Sequence, residues 1–254
     1  MQMSLDLSTL LKDWPHESGA IKVRKILGVD GREKLQLRID LGVLQMETEG
    51  RPDGQRPHNC ESLLVYHQRR AARAEGRGES YELTSEQCSE LQQEGIQYYH
   101  RYLSLFQLND FPAVIRDTQR NLELFEFVSE HTERDDLAWS FQQFRPYVLM
   151  MNTRAKASIL LSDGRFADAM KEIERGRDGI IEFFQQSNFP ELAQKSSELA
   201  FLEEWLEEVS AKRPLTKLEV MQREMENAIA SELYERAAEL RDAIKLLKAS
   251  DSAV

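Results

Sequence analysis

The strongest constraint on this chain lies in residues 215–248, LTKLEVMQREMENAIASELYERAAELRDAIKLLK. Leu218, Met221, Met225 and Ala228 recur at steps of three and four, and Leu233, Ala237, Leu240, Ile244 and Leu247 repeat the pattern after a short break. Residues so spaced share one face of an α-helix. The stretch therefore predicts two short helices joined by a tight turn. A hairpin this small cannot bury both stripes within itself and stand alone. Its apolar face has to dock against something else, which points to an interaction device rather than a catalytic one.

The first eighty residues read differently. Leu5, Leu7, Leu10 and Leu11 form a short amphipathic start that ends at Trp14-Pro15. A period of two follows. Ile21 and Val23 alternate with basic residues, Asp30-Gly31 supplies a hairpin turn, and Leu35, Leu37, Ile39 and Leu41 alternate with polar neighbours. This predicts a half-buried strand in a small antiparallel sheet of two or three strands. Gly42 shifts the alternation, so a bulge or break is expected before Val43. Asn59 is positioned to cap a helix from Cys60 to about Ala74, with Leu63, Leu64, His67 and Ala71 on one face.

From Thr84 onward the chain reads as helical, beginning at a capping sequence, Thr84-Ser85-Glu86-Gln87. Breaks are expected at residues 108–112, 132–136, 162–166 and 187–190, with Pro146 kinking or restarting a helix. The fold class is thus mainly α. Its parts are a small α+β module over residues 1–80, a helical domain over 81–211 and the hairpin over 214–249.

Two resemblances follow from these residues. Ala228-Ile229, the run YERAAELRD at 234–242, and Ile244 resemble the UVR domain. That motif is shared by the UvrB and UvrC subunits of the nucleotide-excision repair nuclease, and similar segments occur in Clp ATPases and their adaptors. The resemblance covers about an eighth of the chain. It implies an antiparallel helical hairpin that pairs with a similar hairpin, with itself or with another partner protein. The contact residues would be Leu218, Met225, Ile229, Tyr234, Ala237, Ala238, Leu240, Arg241 and Ile244. Ala237 and Ala238 would let helices approach closely, and Arg241 and Asp242 would extend polar contacts at the rim of the seam.

Upstream, Ala157, Leu160, Gly164, Phe166, Ala169 and Ile173 resemble a tetratricopeptide (TPR) repeat. Tyr102, Leu105, Asn109, Phe111 and Val114 stand at the same offsets, with Asn109 in the place of the turn glycine. Asparagine suits that place because it tolerates the left-handed conformation. The spacing departs from the family: Asn109 and Gly164 are 55 residues apart, against ~34 for the repeat. Residues 132–145 look inserted.

Charge and composition narrow the function. Residues 1–80 carry 13 Lys/Arg and 12 Asp/Glu, whereas the remainder carries 20 and 32. An acidic body repels phosphate backbones, so direct nucleic-acid binding is disfavoured. The one basic concentration, Arg69, Arg70, Arg73 and Arg77, has no aromatic among it to stack a base. No apolar run reaches the ~20 residues of a membrane span. The N-terminal stretch lacks a basic lead, and Cys60 and Cys88 give no disulfide framework, so a cytoplasmic location is expected.

No phosphate-binding glycine loop and no Cys-x-x-Cys pair occur. His58, Cys60, His67 and Cys88 fit no standard zinc spacing. An enzymatic site would need groups such as His16, Asp53 and His58 to converge. The expectation is a non-enzymatic adaptor or scaffold with no cofactor and no metal. Alternatives are an accessory factor of UvrB/UvrC repair or a regulator of a Clp-type ATPase or protease.

Overall fold

The computed structural model describes residues 6–187, 189–215 and 217–251. The chain divides into two compact units, Met1–Glu207 and Glu208–Val254. Among the described residues about 67% are helical, with ten helices and one small antiparallel sheet.

In the first unit a short helix α1 (Ser8–Leu11) precedes strands β1 (Lys22–Leu27), β2 (Glu33–Ile39) and β3 (Gly42–Glu47), hydrogen-bonded in the order β1-β2-β3. The Asp-Gly turn forms as expected. Gly31 takes φ +74°, and the Gly28 N–H donates to the Arg32 carbonyl at 2.8 Å. The break expected before Val43 is a tight turn: Ile39 pairs directly with Gly42, and Asp40-Leu41 is a two-residue turn that leaves Leu41 exposed. It is not a bulge.

Nor is β2 half-buried. Leu35 and Leu37 are buried, but so are Lys34 and Gln36 on the opposite face. The reason is a polar ladder across the middle strand. Arg24 Nε donates to Gln36 Oε1 at 2.8 Å, Gln36 Nε2 donates to Gln45 Oε1 at 2.9 Å, and the Trp14 ring lies 4.0 Å from the Arg24 guanidinium. A polar residue can be buried when its donors and acceptors are met.

Helix α2 (Leu63–Glu75) starts later than the sequence implied, and Asn59 does not cap it. Ser62 does, accepting the Val65 N–H at 3.2 Å. His58 and Asn59 sit in a preceding turn at φ 50° and 59°. The buried Glu94 carboxylate accepts the Leu63 and Leu64 N–H groups at 2.8 and 3.2 Å. It thereby satisfies donors that a helix N-terminus leaves unpaired.

Glu94 belongs to α3 (Ser85–Gln107), which begins at the expected capping box: Thr84 and Gln87 exchange side-chain-to-backbone bonds of 2.9 and 3.2 Å. Then come α4 (Phe111–Glu130), α5 (Asp135–Gln142), α6 (Arg145–Ser162), α7 (Phe166–Gln186) and α8 (Ser197–Lys212). Pro146 restarts the chain in the first turn of α6, where a missing N–H costs nothing. Helix α3 packs on α4, α4 on α6 and α6 on α7, while α5 leans on α4 and α3. Gly176 lets α7 approach α6, because a Cβ there would lie 2.1 Å from the Thr153 hydroxyl.

The turns of the two hairpins are alike. Asn109 (φ 56°) and Gly164 (φ 72°) are both left-handed. Asp110 N–H donates to Leu105 carbonyl at 3.0 Å and Arg165 N–H to Leu160 carbonyl at 2.8 Å, while the left-handed residues donate to Phe106 and Leu161 carbonyls at 3.1 and 3.0 Å. This is the Schellman geometry. The long interval between the two turns is explained by long helices and by α5, which occupies the stretch that looked inserted.

The sheet is tied to the helices by buried charge. Arg101 and Asp117, both buried, form two bonds of 2.6 and 2.8 Å, and Arg101 also donates to the carbonyls of Glu47 and Gly50 at 3.1 and 2.8 Å. Arg116 bonds Asp117 and the Thr48 carbonyl, each at 2.9 Å. Glu94 pairs with Arg51 at 3.1 Å and with Arg120. The Tyr98 ring lies 4.8 and 4.1 Å from the Arg101 and Arg120 guanidiniums. Removing one member of such a pair strands a charge in low dielectric. Asp117→Asn is expected to lower unfolding free energy by about 3–5 kcal/mol, read from urea denaturation; a loss below about 1 kcal/mol would contradict the assignment.

His67 is buried on α2, with Nδ1 2.6 Å from the Tyr81 hydroxyl. Burial, with Arg70 and His58 nearby, pulls its pKa down to about 4. The unfolded histidine titrates near 6.5. Between those values the unfolded chain binds more protons, so this contribution is intact above pH 6.5 and is lost as pH falls toward 4. Burial of His100 acts in the same direction. The loss from His67 is on the order of 3 kcal/mol. His67→Asn should flatten the fall in urea midpoint between pH 7 and pH 4.5, whereas an unchanged slope would remove His67 from the account.

Candidate functional site

The second unit contains α9 (Lys217–Ala230) and α10 (Tyr234–Asp251), packed against each other. The link repeats the Schellman turn of the helical body. Glu232 is left-handed at φ 59°, its N–H donates to Ile229 carbonyl at 3.0 Å, and the Leu233 N–H donates to Ala228 carbonyl at 2.8 Å. A glutamate in this place bears the steric cost of its Cβ, which glycine would not.

The predicted contact residues divide into three groups. Ala237, Leu240 and Ile244 are buried, together with Ala228. Leu218, Met225 and Ala238 are half-buried. Ile229, Tyr234 and Arg241 stand in solvent, Ile229 at 50% and Tyr234 at 66% exposure. Leu233, which the periodicity placed on the seam, lies exposed in the turn just before α10. Ile229, Leu233 and Tyr234 thus stand exposed on and around the turn at the tip of the hairpin. Val220 and Leu246 are also exposed; both fall outside the three/four stripe, so periodicity gave no sign of them. The charged residues keep to themselves: Arg236 pairs with Glu239 at 3.0 Å and Arg241 with Asp242 at 2.9 Å.

Residues 216–250 match the family model of the UvrB/uvrC motif. The matched stretch contains α9, the Glu232 turn and nearly all of α10. No curated protein and no solved structure matches the chain. In this UVR hairpin Ala228 and Ala237 are buried together with Leu240 and Ile244, and the larger side chains Ile229, Leu233 and Tyr234 stay exposed.

The helical body adds two concavities on either side of α5. One, of about 570 Å³, is lined mainly by Ile96, Tyr99, Tyr102, Phe141, Phe144 and Tyr147. Burial, with Tyr99 beside it, pushes the Tyr147 hydroxyl up to about 12. The other, of about 740 Å³, sets Trp139, Phe183 and Phe189 among Glu126, Asp135, Asp136 and Glu182. The sequence marked residues 132–145 only as an insertion, and nothing in their pattern revealed that both sides of α5 form walls.

Two of the groups considered for chemistry have partners elsewhere in the fold. His58 stacks on Tyr66 at 4.0 Å and Asp53 accepts from Gln97 at 3.2 Å. Cys60 and Cys88 are buried free thiols, and burial raises the Cys88 pKa. Among the described residues no group of three or more His, Cys, Asp or Glu is placed to hold a metal, and no helix is long and apolar enough to cross a membrane.

Glu232→Gly should stabilise the UVR hairpin by about 1 kcal/mol, slowing amide hydrogen exchange across α9 and α10 roughly fivefold. Unchanged or faster exchange would contradict the left-handed turn.

Proposed function

We propose that the protein is a non-enzymatic adaptor that binds a partner protein through the tip and outer face of its UVR hairpin. The observation that carries this reading is that Ile229, Leu233 and Tyr234 stand exposed around the turn while Ala228, Ala237, Leu240 and Ile244 are buried. Large apolar and aromatic side chains left in water next to a rigid turn are suited to act as anchors at an interface. The preferred partner is another UVR-type hairpin, which would offer a like surface. The TPR-like stacking of the helical body supports the same reading by supplying a second binding surface. We place the protein in the cytoplasm, where buried free thiols such as Cys60 and Cys88 stay reduced.

The match to the UvrB/uvrC motif favours an excision-repair complex over a Clp-type machine as the setting. The net charge of −11 argues that any such role runs through protein contacts and not through DNA.

The residues chosen for a test matter. Ala237 and Leu240 are buried, so charged substitutions there would break the hairpin and say nothing about docking. Ile229→Asp with Tyr234→Asp alters only exposed positions. Calorimetric titration of the full chain against UvrB, UvrC and a Clp ATPase should show binding to a UVR-bearing partner. The double variant should weaken that binding at least ~100-fold, about 2.7 kcal/mol, with unchanged circular dichroism. Equal affinity for the variant, or no binding to any UVR-bearing protein, would overturn the proposal.

A further inference from the structure

The concavity walled by α5 has a mouth bordered by exposed apolar side chains. Ile96 from α3 and Phe144 at the start of α6 stand 50% and 51% exposed at its edge, above the more enclosed rings of Tyr102 and Phe141. Its volume of about 570 Å³ lies within the ~300–1,000 Å³ of ligand-binding clefts. It can take a few side chains but not a whole helix.

Charge restricts the occupant further. The lining contains no lysine or arginine, and its one carboxylate is Glu198. His100, also in the lining, is held toward its neutral form by burial. Across α5 the second concavity adds Glu126, Asp135, Asp136 and Glu182, and its single cation, Arg145, is already paired with Glu126 at 3.0 Å. Five carboxylates therefore line the two concavities, two of them, Asp135 and Asp136, on α5 itself; Asp136 is held by Arg134 at 2.6 Å, which leaves Asp135, Glu182 and Glu198 to set the local charge. An acidic or phosphorylated ligand would be repelled from both sides. A cation would be drawn to either.

We propose that this part of the helical body is a docking site for a short partner segment carrying one or two bulky apolar side chains next to a lysine or arginine. The apolar anchors enter between Ile96, Tyr99, Phe144 and Tyr147, and the basic flank lies toward Glu198 or over α5 toward Asp135. The helix that breaks the repeat spacing is then the element that sets specificity. The proposal shares with the adaptor reading only the premise that the ligand is a polypeptide; it uses a different surface.

The test is selection of a random displayed peptide library on the immobilised full chain, followed by fluorescence anisotropy with the best synthetic peptide. The expected peptides carry Trp, Phe or Leu within a few residues of Lys or Arg. Ile96→Asp and, separately, Phe144→Asp should each weaken binding tenfold or more while circular dichroism stays unchanged. Glu198→Lys should weaken it and be rescued by a peptide in which the basic residue is replaced by glutamate. The Ile229→Asp, Tyr234→Asp variant should bind the peptide as the parent does, which separates failure here from failure at the hairpin. Enrichment of acidic peptides, no enrichment, or affinity unchanged in both rim variants would overturn the proposal. So would sedimentation as a dimer that Phe144→Asp dissociates, since the face would then be an interface between copies of this chain.

Discussion

Two buried carboxylates hold the first unit together. Glu94 reaches from α3 to the start of α2, to Arg51 beyond β3 and to Arg120 on α4. Asp117 holds Arg101, which in turn grips the carbonyls of Glu47 and Gly50 at the end of the sheet. Hydrogen bonds between ionised groups are stronger than neutral ones, and in a water-poor interior each unpaired charge is costly. The result is directional. The sheet can sit on the helices in only one way, because any other would orphan a guanidinium or a carboxylate. Apolar contacts among residues such as Leu91, Leu124 and Val128 give the core its bulk, but they do not by themselves fix orientation.

That division explains what the sequence could and could not reveal. Local chemistry was legible. The Thr84 capping box, the Asp30-Gly31 turn and the left-handed Asn109 and Gly164 each depend on a few adjacent residues. So did the seam of the hairpin, where Ala237, Leu240 and Ile244 proved to be buried. The polar core was not legible. Arg101 and Asp117 lie 16 positions apart, and in a chain with 30% charged residues nothing sets them apart from pairs on a solvated face. The start of α2 was misplaced between two nearby capping residues, Asn59 and Ser62, and the Glu94 carboxylate that favours Ser62 by accepting the Leu63 N–H comes 31 positions later. Gln36 looked like the outward face of a strand and became the centre of a polar ladder.

The site shows a related limit. Periodicity identifies which residues close a helix pair, since they recur on one face. It does not identify those that remain outside, such as Leu233 and Leu246. A pair of helices of 14 and 18 residues can close one seam, and its remaining apolar side chains are what a partner can use. In the helical body the inserted α5 plays the corresponding part. It adds little to the repeat pattern, yet it supplies a wall to each concavity. In both units the proposed contact surfaces are therefore what the regular pattern leaves over.

The central claim is that the tip of the UVR hairpin is a contact surface. Hydrogen–deuterium exchange of the full chain, alone and saturated with a UVR-bearing partner, tests it directly. Slowed exchange centred on residues 228–241, with the sheet and α3–α7 unaltered, is the expected footprint. A complex in which that stretch exchanges as it does in the free protein would contradict the account.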